Sequence, residues 1–173
     1  MLSRINLIWL LGALLLVRIL AMVLVPFADT TEPRYAEIAR LMMTSNDWIT
    51  PWFEPGVPFW GKPPLSFWAQ ALAFKLFGVN EFAGRLPALL AFIATAWMVW
   101  RLAISVASQD VAAAAVVVYA GMLLTFVAAG TVMTDPYLAL GTTWAMVAFY
   151  LAPKEDVWYW RYGFFIGLAI GLL

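Results

Sequence analysis

Apolar residues fill five long stretches of this chain, and polar residues collect between them. The first stretch covers about residues 5–25 and stops at Pro26. A helix of about 21 residues rises about 30 Å, enough to cross the hydrocarbon core of a bilayer. Stretches over about residues 86–104, 111–129, 137–151 and 161–173 predict four more spanning helices. Gly130 to Pro136 separates the third from the fourth, in an apolar run too long for one crossing. A loop over about residues 27–85 follows the first span, and it carries helical pattern of its own. Tyr35, Ile38, Ala39 and Met42 share one face, Arg34, Glu37 and Arg40 favour the other, and Pro33 suits a first turn. A second helix starts near Pro64, with Leu65, Trp68, Ala69, Leu72 and Leu76 on one stripe. Trp48, Trp52, Trp60 and Trp68 favour the headgroup zone, so the loop is expected to lie along the bilayer surface. The pattern predicts an all-α integral membrane bundle of about five spans, with two amphipathic surface helices in its first loop.

Composition excludes the soluble alternative. The chain is 65% hydrophobic and 12% charged, about half the charged share of a soluble protein. Arg4 before an apolar run resembles a signal peptide, but the run is too long and no small-residue cleavage pattern follows it. It is read as an uncleaved span. A net charge of zero gives no electrostatic reason to bind nucleic acid. Without Cys there is no disulfide framework, and without His a metal site is not expected; a divalent cation would need carboxylates alone. The chain stops at Gly171-Leu172-Leu173 inside an apolar run, so it is expected to be part of a longer protein.

Charge is concentrated in the first loop. Six of the ten acids (Asp29, Glu32, Glu37, Asp47, Glu54 and Glu81) and five of the ten bases (Arg34, Arg40, Lys62, Lys75 and Arg85) lie between Asp29 and Arg85. Counting crossings puts this loop and the 130–136 turn on one side. Arg4, Arg101, Lys154 and Arg161 belong to the other, which the positive-inside tendency makes cytoplasmic. The loop then faces outward.

Several polar residues have both a structural and a chemical reading. Asp29 and Glu32 follow the first span and can cap a helix, or act as a general base at the membrane edge. Glu37 and Arg40 read as a solvated pair at i,i+3, whereas Arg34 is placed to bind a phosphate. Lys62, stiffened by Gly61 and Pro63-Pro64, presents one ammonium either to a phosphate or to the headgroups. Asp135 sits between two apolar stretches, where an acid marks function by default; it can also cap the next helix, with Pro136 at its first position. Arg18 lies deep in the first span and requires a partner, for which Asp135, Asp110 or a residue past Leu173 are candidates. Arg85 can snorkel or hold an anionic headgroup.

Five blocks then occur in order: Thr31-Glu32-Pro33-Arg34-Tyr35-Ala36-Glu37-Ile38-Ala39-Arg40, Asp47-Trp48-Ile49-Thr50-Pro51, Lys62-Pro63-Pro64-Leu65, Phe77-Gly78-Val79-Asn80-Glu81-Phe82 with Arg85-Leu86-Pro87, and Asp135-Pro136. This resembles the N-terminal part of the phospholipid-carrier-dependent glycosyltransferases of the GT-C fold, nearest the aminoarabinose transferases and more distantly the protein O-mannosyltransferases. The resemblance implies an enzyme of the bacterial inner membrane, with its active site facing the periplasm. It would move a sugar from a polyprenyl-phosphate donor to a lipid A-like lipid, a protein or a glycan, with inversion. It implies Asp29, Glu32 and Asp135 as the acids of the site. Lys62 would hold the donor phosphate, with Arg34, Tyr35 and Arg85 beside it. Thr31 stands where aminoarabinose transferases carry Asp, so the base is Asp29 or Glu32. Gly61 stands where some relatives carry a metal-binding Glu, so metal binding is not carried over. A transporter or channel would also use Arg18 and Asp135, but has no need of an outer loop with two surface helices. An inactive fragment is the third reading.

Overall fold

The computed structural model describes residues 4–28 and 30–173, so Asp29 lies outside the described residues. Among the described residues, eight helices and one small hairpin follow in order. α1 (Arg4–Leu24) is the first span, and α2 (Thr31–Ser45) opens the polar loop. β1 (Trp52–Glu54) and β2 (Val57–Pro58) pair antiparallel. α3 (Leu65–Phe77) closes the loop, and α4 (Glu81–Val106), α5 (Gln109–Gly121), α6 (Leu123–Ala128), α7 (Asp135–Leu151) and α8 (Trp158–Leu172) complete the bundle.

The outside of the bundle is apolar. Ile8, Trp9 and Leu16 of α1, Leu90 of α4, Phe149 of α7 and Phe165 of α8 are all exposed. A soluble protein rarely shows such a continuous apolar surface, whereas hydrocarbon chains cover it without cost. Among the described residues, α1 and α4 are long and apolar enough to cross a membrane unaided. Five such helices were expected. α7 has 17 residues, and the expected third span is two helices, because the chain breaks at Met122 into an extended conformation. The Thr125 hydroxyl donates to the carbonyls of Tyr119 and Met122, competing with the helical ladder at the break. α4 also begins earlier than expected, at Glu81, where the Asn80 side chain caps it by accepting from the Ala83 amide at 2.8 Å.

Three buried clusters run along the bundle. Tyr35, Ile38, Ala39 and Met42 of α2 meet Phe67, Ala71 and Phe74 of α3 at one end. Met22, Leu89, Phe92 and Ala120 fill the middle. Met98, Val147, Leu151 and Trp160 close the other end. The apolar face of α2 is therefore covered by α3 and not by lipid. The stripe expected on α3 behaves differently. Leu72 and Leu76 are 51% and 66% exposed, while Ser66, Phe67, Gln70 and Phe74 form the buried face.

Asp47 organises the loop between α2 and the hairpin. Its carboxylate accepts from the Ile49 and Thr50 amides at 3.0 Å and from the Trp52 indole at 2.9 Å. The Thr50 amide, then the Trp52 and Ile49 donors, hold its carboxyl below the usual range. The Trp68 indole donates to the Trp48 carbonyl at 2.6 Å, tying α3 to the same turn. At the far end Glu155 accepts from Arg101 at 2.7 and 2.8 Å and from the Trp160 indole at 2.8 Å. Arg101, followed by Trp160, holds the Glu155 carboxyl low.

α7 and α8 approach through glycine. A Cβ on Gly167 would lie 2.4 Å from the Ala145 amide nitrogen, and one on Gly141 2.4 Å from the Gly171 nitrogen. Backbone atoms cannot yield at these distances, so the helices must part to admit a side chain. Gly167→Leu is expected to lower the stability of the detergent-solubilised protein by about 1–3 kcal/mol. Gly12→Leu is the matched control, because a Cβ there meets nothing within 4 Å. Equal melting temperatures for the two variants would remove close packing as the reason for the glycines.

Candidate active site

The chemistry-bearing residues gather where α1 ends and α2, α3, α4 and α7 begin. Pro26 sets the first constraint. It has no N–H to offer the Met22 carbonyl one turn earlier, so the end of α1 needs donors from elsewhere. Arg85, in the second turn of α4, supplies them: Nη1 donates to the Met22 carbonyl at 3.1 Å and the Val25 carbonyl at 2.6 Å, and Nη2 to the Pro26 carbonyl at 3.2 Å. The same guanidinium grips Glu32 of α2, with Nε to Oε1 at 3.0 Å and Nη2 to Oε2 at 2.7 Å. Glu32 Oε1 also accepts from the Val132 amide at 3.0 Å. Both residues are buried, at 4% exposure for Glu32 and 3% for Arg85, and the guanidinium stands 5.0 Å from the centre of the Phe27 ring.

This pair joins four segments: the end of α1, the start of α2, the start of α4 and the turn before α7. All five N–H donors of a guanidinium have partners here. Arg85 was expected beside a donor phosphate, and the structure leaves it no N–H for one. Glu32 was expected as a base or as negative charge at a helix start; it lies in the first turn of α2, with its carboxylate accepting from Arg85 and the Val132 amide.

Lys62 and Asp135 are brought together in a different place. They line one cavity of about 130 Å³, with Ser66 of α3 and Tyr137 of α7 in its wall and Ile170 and Leu173 along the α8 side. Pro63-Pro64 delivers Lys62 immediately ahead of α3, whose first amide, on Leu65, donates to the Leu173 carbonyl at 2.8 Å. Asp135 is the first residue of α7, and the N-cap is Thr134 rather than Asp135 itself. Lys62 and Asp135 are both exposed, so each is open to a ligand.

Arg34 is not part of this cavity. It lies exposed on α2 with its guanidinium 6.0 Å from the centre of the Phe53 ring, and lines a separate hollow with Glu37, Arg40 and Glu54. Arg40 and Glu37 form the expected pair, at 2.7 Å. Tyr35 is buried between Phe59 and Phe67, with ring centres 5.9 and 5.5 Å away. Arg18 donates to the Val127 carbonyl at 2.6 Å and stands 5.7 Å from the centre of the Phe126 ring. Among the described residues its hydrogen bond goes to the end of α6, not to Asp135 or Asp110.

Sequence reasoning missed Ser66 and Tyr137. Ser66 carried a signal: Ser66 and Gln70 are four apart on an otherwise apolar helix, which marks a polar strip on one face. Tyr137, next to Asp135-Pro136, carried none beyond its position.

The family model described as dolichyl-phosphate-mannose-protein mannosyltransferase matches residues 61–173, a stretch that holds both Lys62 and Asp135. The chain belongs to this family. The undecaprenyl phosphate-alpha-4-amino-4-deoxy-L-arabinose arabinosyl transferase of Yersinia pestis (strain Pestoides F) is 31% identical over 144 residues, which cover 82% of this chain and 26% of that protein. The enzyme of the same name from Edwardsiella ictaluri (strain 93-146) is 36% identical over 144 residues, with the same coverage. The chain thus spans about a quarter of the length of these curated relatives. The crystal structure of ArnT from Cupriavidus metallidurans in the apo state superposes with a TM-score of 0.82 at 21% identity, covering 95% of this chain and 31% of that one. The fold of this mannosyltransferase-family chain is accordingly the helical GT-C membrane fold.

Proposed function

We propose that the chain forms the N-terminal part of the membrane domain of a glycosyltransferase that takes its sugar from a polyprenyl-phosphate donor. One observation carries the reading: Lys62 and Asp135, far apart in sequence, line the same cavity at one end of the bundle. The relatives' names specify an undecaprenyl phosphate-linked aminoarabinose, which supports a lipid-phosphate donor. In the proposed step a nucleophilic oxygen of the acceptor attacks the anomeric carbon. The bond from that carbon to the phosphate oxygen breaks, and its electron pair leaves with the polyprenyl phosphate. The Lys62 ammonium offsets the charge developing on the phosphate. Asp135 receives the proton of an attacking hydroxyl, alone or with Asp29. Attack opposite the phosphate inverts the anomeric centre. A lipid-linked phosphate is confined to the headgroup plane, and Lys62 is the cation that lines this cavity; Arg34, in its separate hollow, and Tyr35, buried against Phe59 and Phe67, take no part in the proposed step. The acceptor is a lipid A-like lipid, a protein or a glycan.

The protein resides in a bacterial inner membrane in this reading, with the cavity facing outward. Arg101, Lys154 and Arg161 support that orientation, because they lie at the end of the bundle opposite Lys62.

The reading is tested with Lys62→Ala in the full-length protein, using a lipid-phosphate-linked sugar and mass spectrometry of the products. Transfer is expected to fall about a hundredfold or more, as for loss of one preorganised group on developing charge, with membrane insertion unchanged. Undiminished transfer removes Lys62 from the mechanism. Solute flux without transfer, in reconstituted vesicles, favours the transport reading instead.

A further inference from the structure

Two buried residues in the wall of the Lys62–Asp135 cavity carry hydroxyls with no hydrogen-bond partner among the described residues. Ser66 is 2% exposed and Tyr137 is 8% exposed, and both residues line the cavity wall. Neither Ser66 Oγ nor Tyr137 Oη is hydrogen-bonded. An unpaired buried hydroxyl is unfavourable, and the usual remedy in a close-packed interior is an internal acceptor. Here neither hydroxyl has one among the described residues. Ser66 lies in the first turn of α3 with Phe67 and Ala71 packed beyond it, and Tyr137 lies in the first turn of α7 behind Asp135. Leu65, Leu138 and Ile170 add apolar wall, and Thr134 adds one more hydroxyl-bearing residue.

We infer that Ser66 and Tyr137 are ligand-binding residues of this cavity, and that their hydroxyls join Lys62 in holding a phosphoryl group. The inference rests on the proposed lipid-phosphate donor and adds two contacts to it. Both side chains suit that role, since a hydroxyl hydrogen turns freely and Ser66 Oγ swings about a single bond. A phosphoryl oxygen entering beside the Lys62 ammonium gives each hydroxyl the acceptor it lacks. Donors and a cation on one side, with the Asp135 carboxylate at the entrance to α7, also orient the group. The phosphoryl oxygens turn towards Ser66, Tyr137 and Lys62, and the remainder of the ligand turns towards Asp135.

A ligand contact and a structural hydroxyl differ in the sign of one measurement. Removing an unpaired buried hydroxyl leaves the empty protein as stable or more stable, but weakens binding. Removing a structural hydroxyl destabilises the protein. The probe is undecaprenyl phosphate without sugar, titrated into the full-length protein in detergent, with wild type, Ser66→Ala, Tyr137→Phe and Lys62→Ala compared. Ser66→Ala and Tyr137→Phe are each expected to raise the Kd about fivefold to tenfold, which corresponds to about 1–1.4 kcal/mol, with the melting temperature of the ligand-free protein unchanged or higher. An unchanged Kd in both variants, with wild type binding and Lys62→Ala not, overturns the role of the hydroxyls and leaves the donor reading standing. A lower ligand-free melting temperature in both assigns them to the fold and overturns the inference. Failure of wild type to bind the lipid phosphate overturns the donor reading and the inference together.

Discussion

Asp135→Asn is expected to reduce sugar transfer about a thousandfold, the middle of the range for loss of a positioned general base. The substitution is conservative in every respect except charge. Asparagine has the shape of aspartate, is tolerated at a helix start, and keeps Pro136 in the first turn of α7. What disappears is the anionic oxygen that accepts a proton from the incoming nucleophile. The loss is therefore expected in kcat more than in KM, because the proposed donor-binding group is Lys62, a different residue of the cavity lining. Initial rates with a labelled lipid-phosphate sugar, measured across donor concentrations, separate the two. A kcat within tenfold of wild type would exclude Asp135 as the base and pass that role to Asp29. The equivalent change at Glu32 has a different expected signature. Its carboxylate already accepts from Arg85 and the Val132 amide. Glu32→Gln is expected to weaken the fold before it slows the chemistry.

Arg85→Leu is expected to cost about 3–5 kcal/mol of stability, the range for breaking a buried ion pair by removing one partner. The variant leaves the Glu32 carboxylate buried without its cation, and strips the Met22, Val25 and Pro26 carbonyls of their donor. Pro26 cannot restore the bond to Met22, since it has no N–H. The double replacement Glu32→Leu with Arg85→Leu is expected to recover part of the loss, because no unpaired charge remains. The carbonyls at the end of α1 and the Val132 amide stay unsatisfied, so recovery is incomplete. Thermal unfolding in detergent reads both effects. If Arg85→Leu melts with the wild type while raising the KM for donor, then Arg85 is a phosphate ligand after all and the buried knot is dispensable.

Legibility of the fold varied with how local its cause was. The stripe on α2 was legible because Tyr35, Ile38, Ala39 and Met42 recur at helical spacing and the charged residues Arg34, Glu37 and Arg40 fall off it. The stripe on α3 is a row of apolar residues, as its spacing says, but Leu72 and Leu76 are exposed and Leu65, Trp68 and Ala69 only half-buried. In a bilayer protein both the core and the surroundings are apolar, so periodicity does not tell a buried face from a lipid-facing one. The decisive clue on α3 was polar: Ser66 and Gln70 mark the inside. The break at Met122 was hidden for a related reason. The apolar run continues through it, and only the Thr125 hydroxyl signals competition with the helical ladder. The hairpin of three and two residues is too short to show alternation.

The site followed the same division. The order of residues along the chain was enough to establish a helical membrane protein, a charged first loop, and Lys62 and Asp135 as groups whose placement needed explaining. Those conclusions depend on hydrophobicity, helix period and the fixed backbone of proline, all of which act within a few residues. Which cation meets which acid is set by where helix ends converge in space. Arg85 lies beside Glu32 because the carbonyls at the end of α1, left short of donors by Pro26, draw its guanidinium to the place where α2 begins. Lys62 and Asp135 share a cavity because α3 and α7 start at the same end of the bundle. Pairings of this kind between distant segments leave no periodic trace in a sequence, and the packing of the helices alone assigns one acid to the scaffold and the other to the cavity.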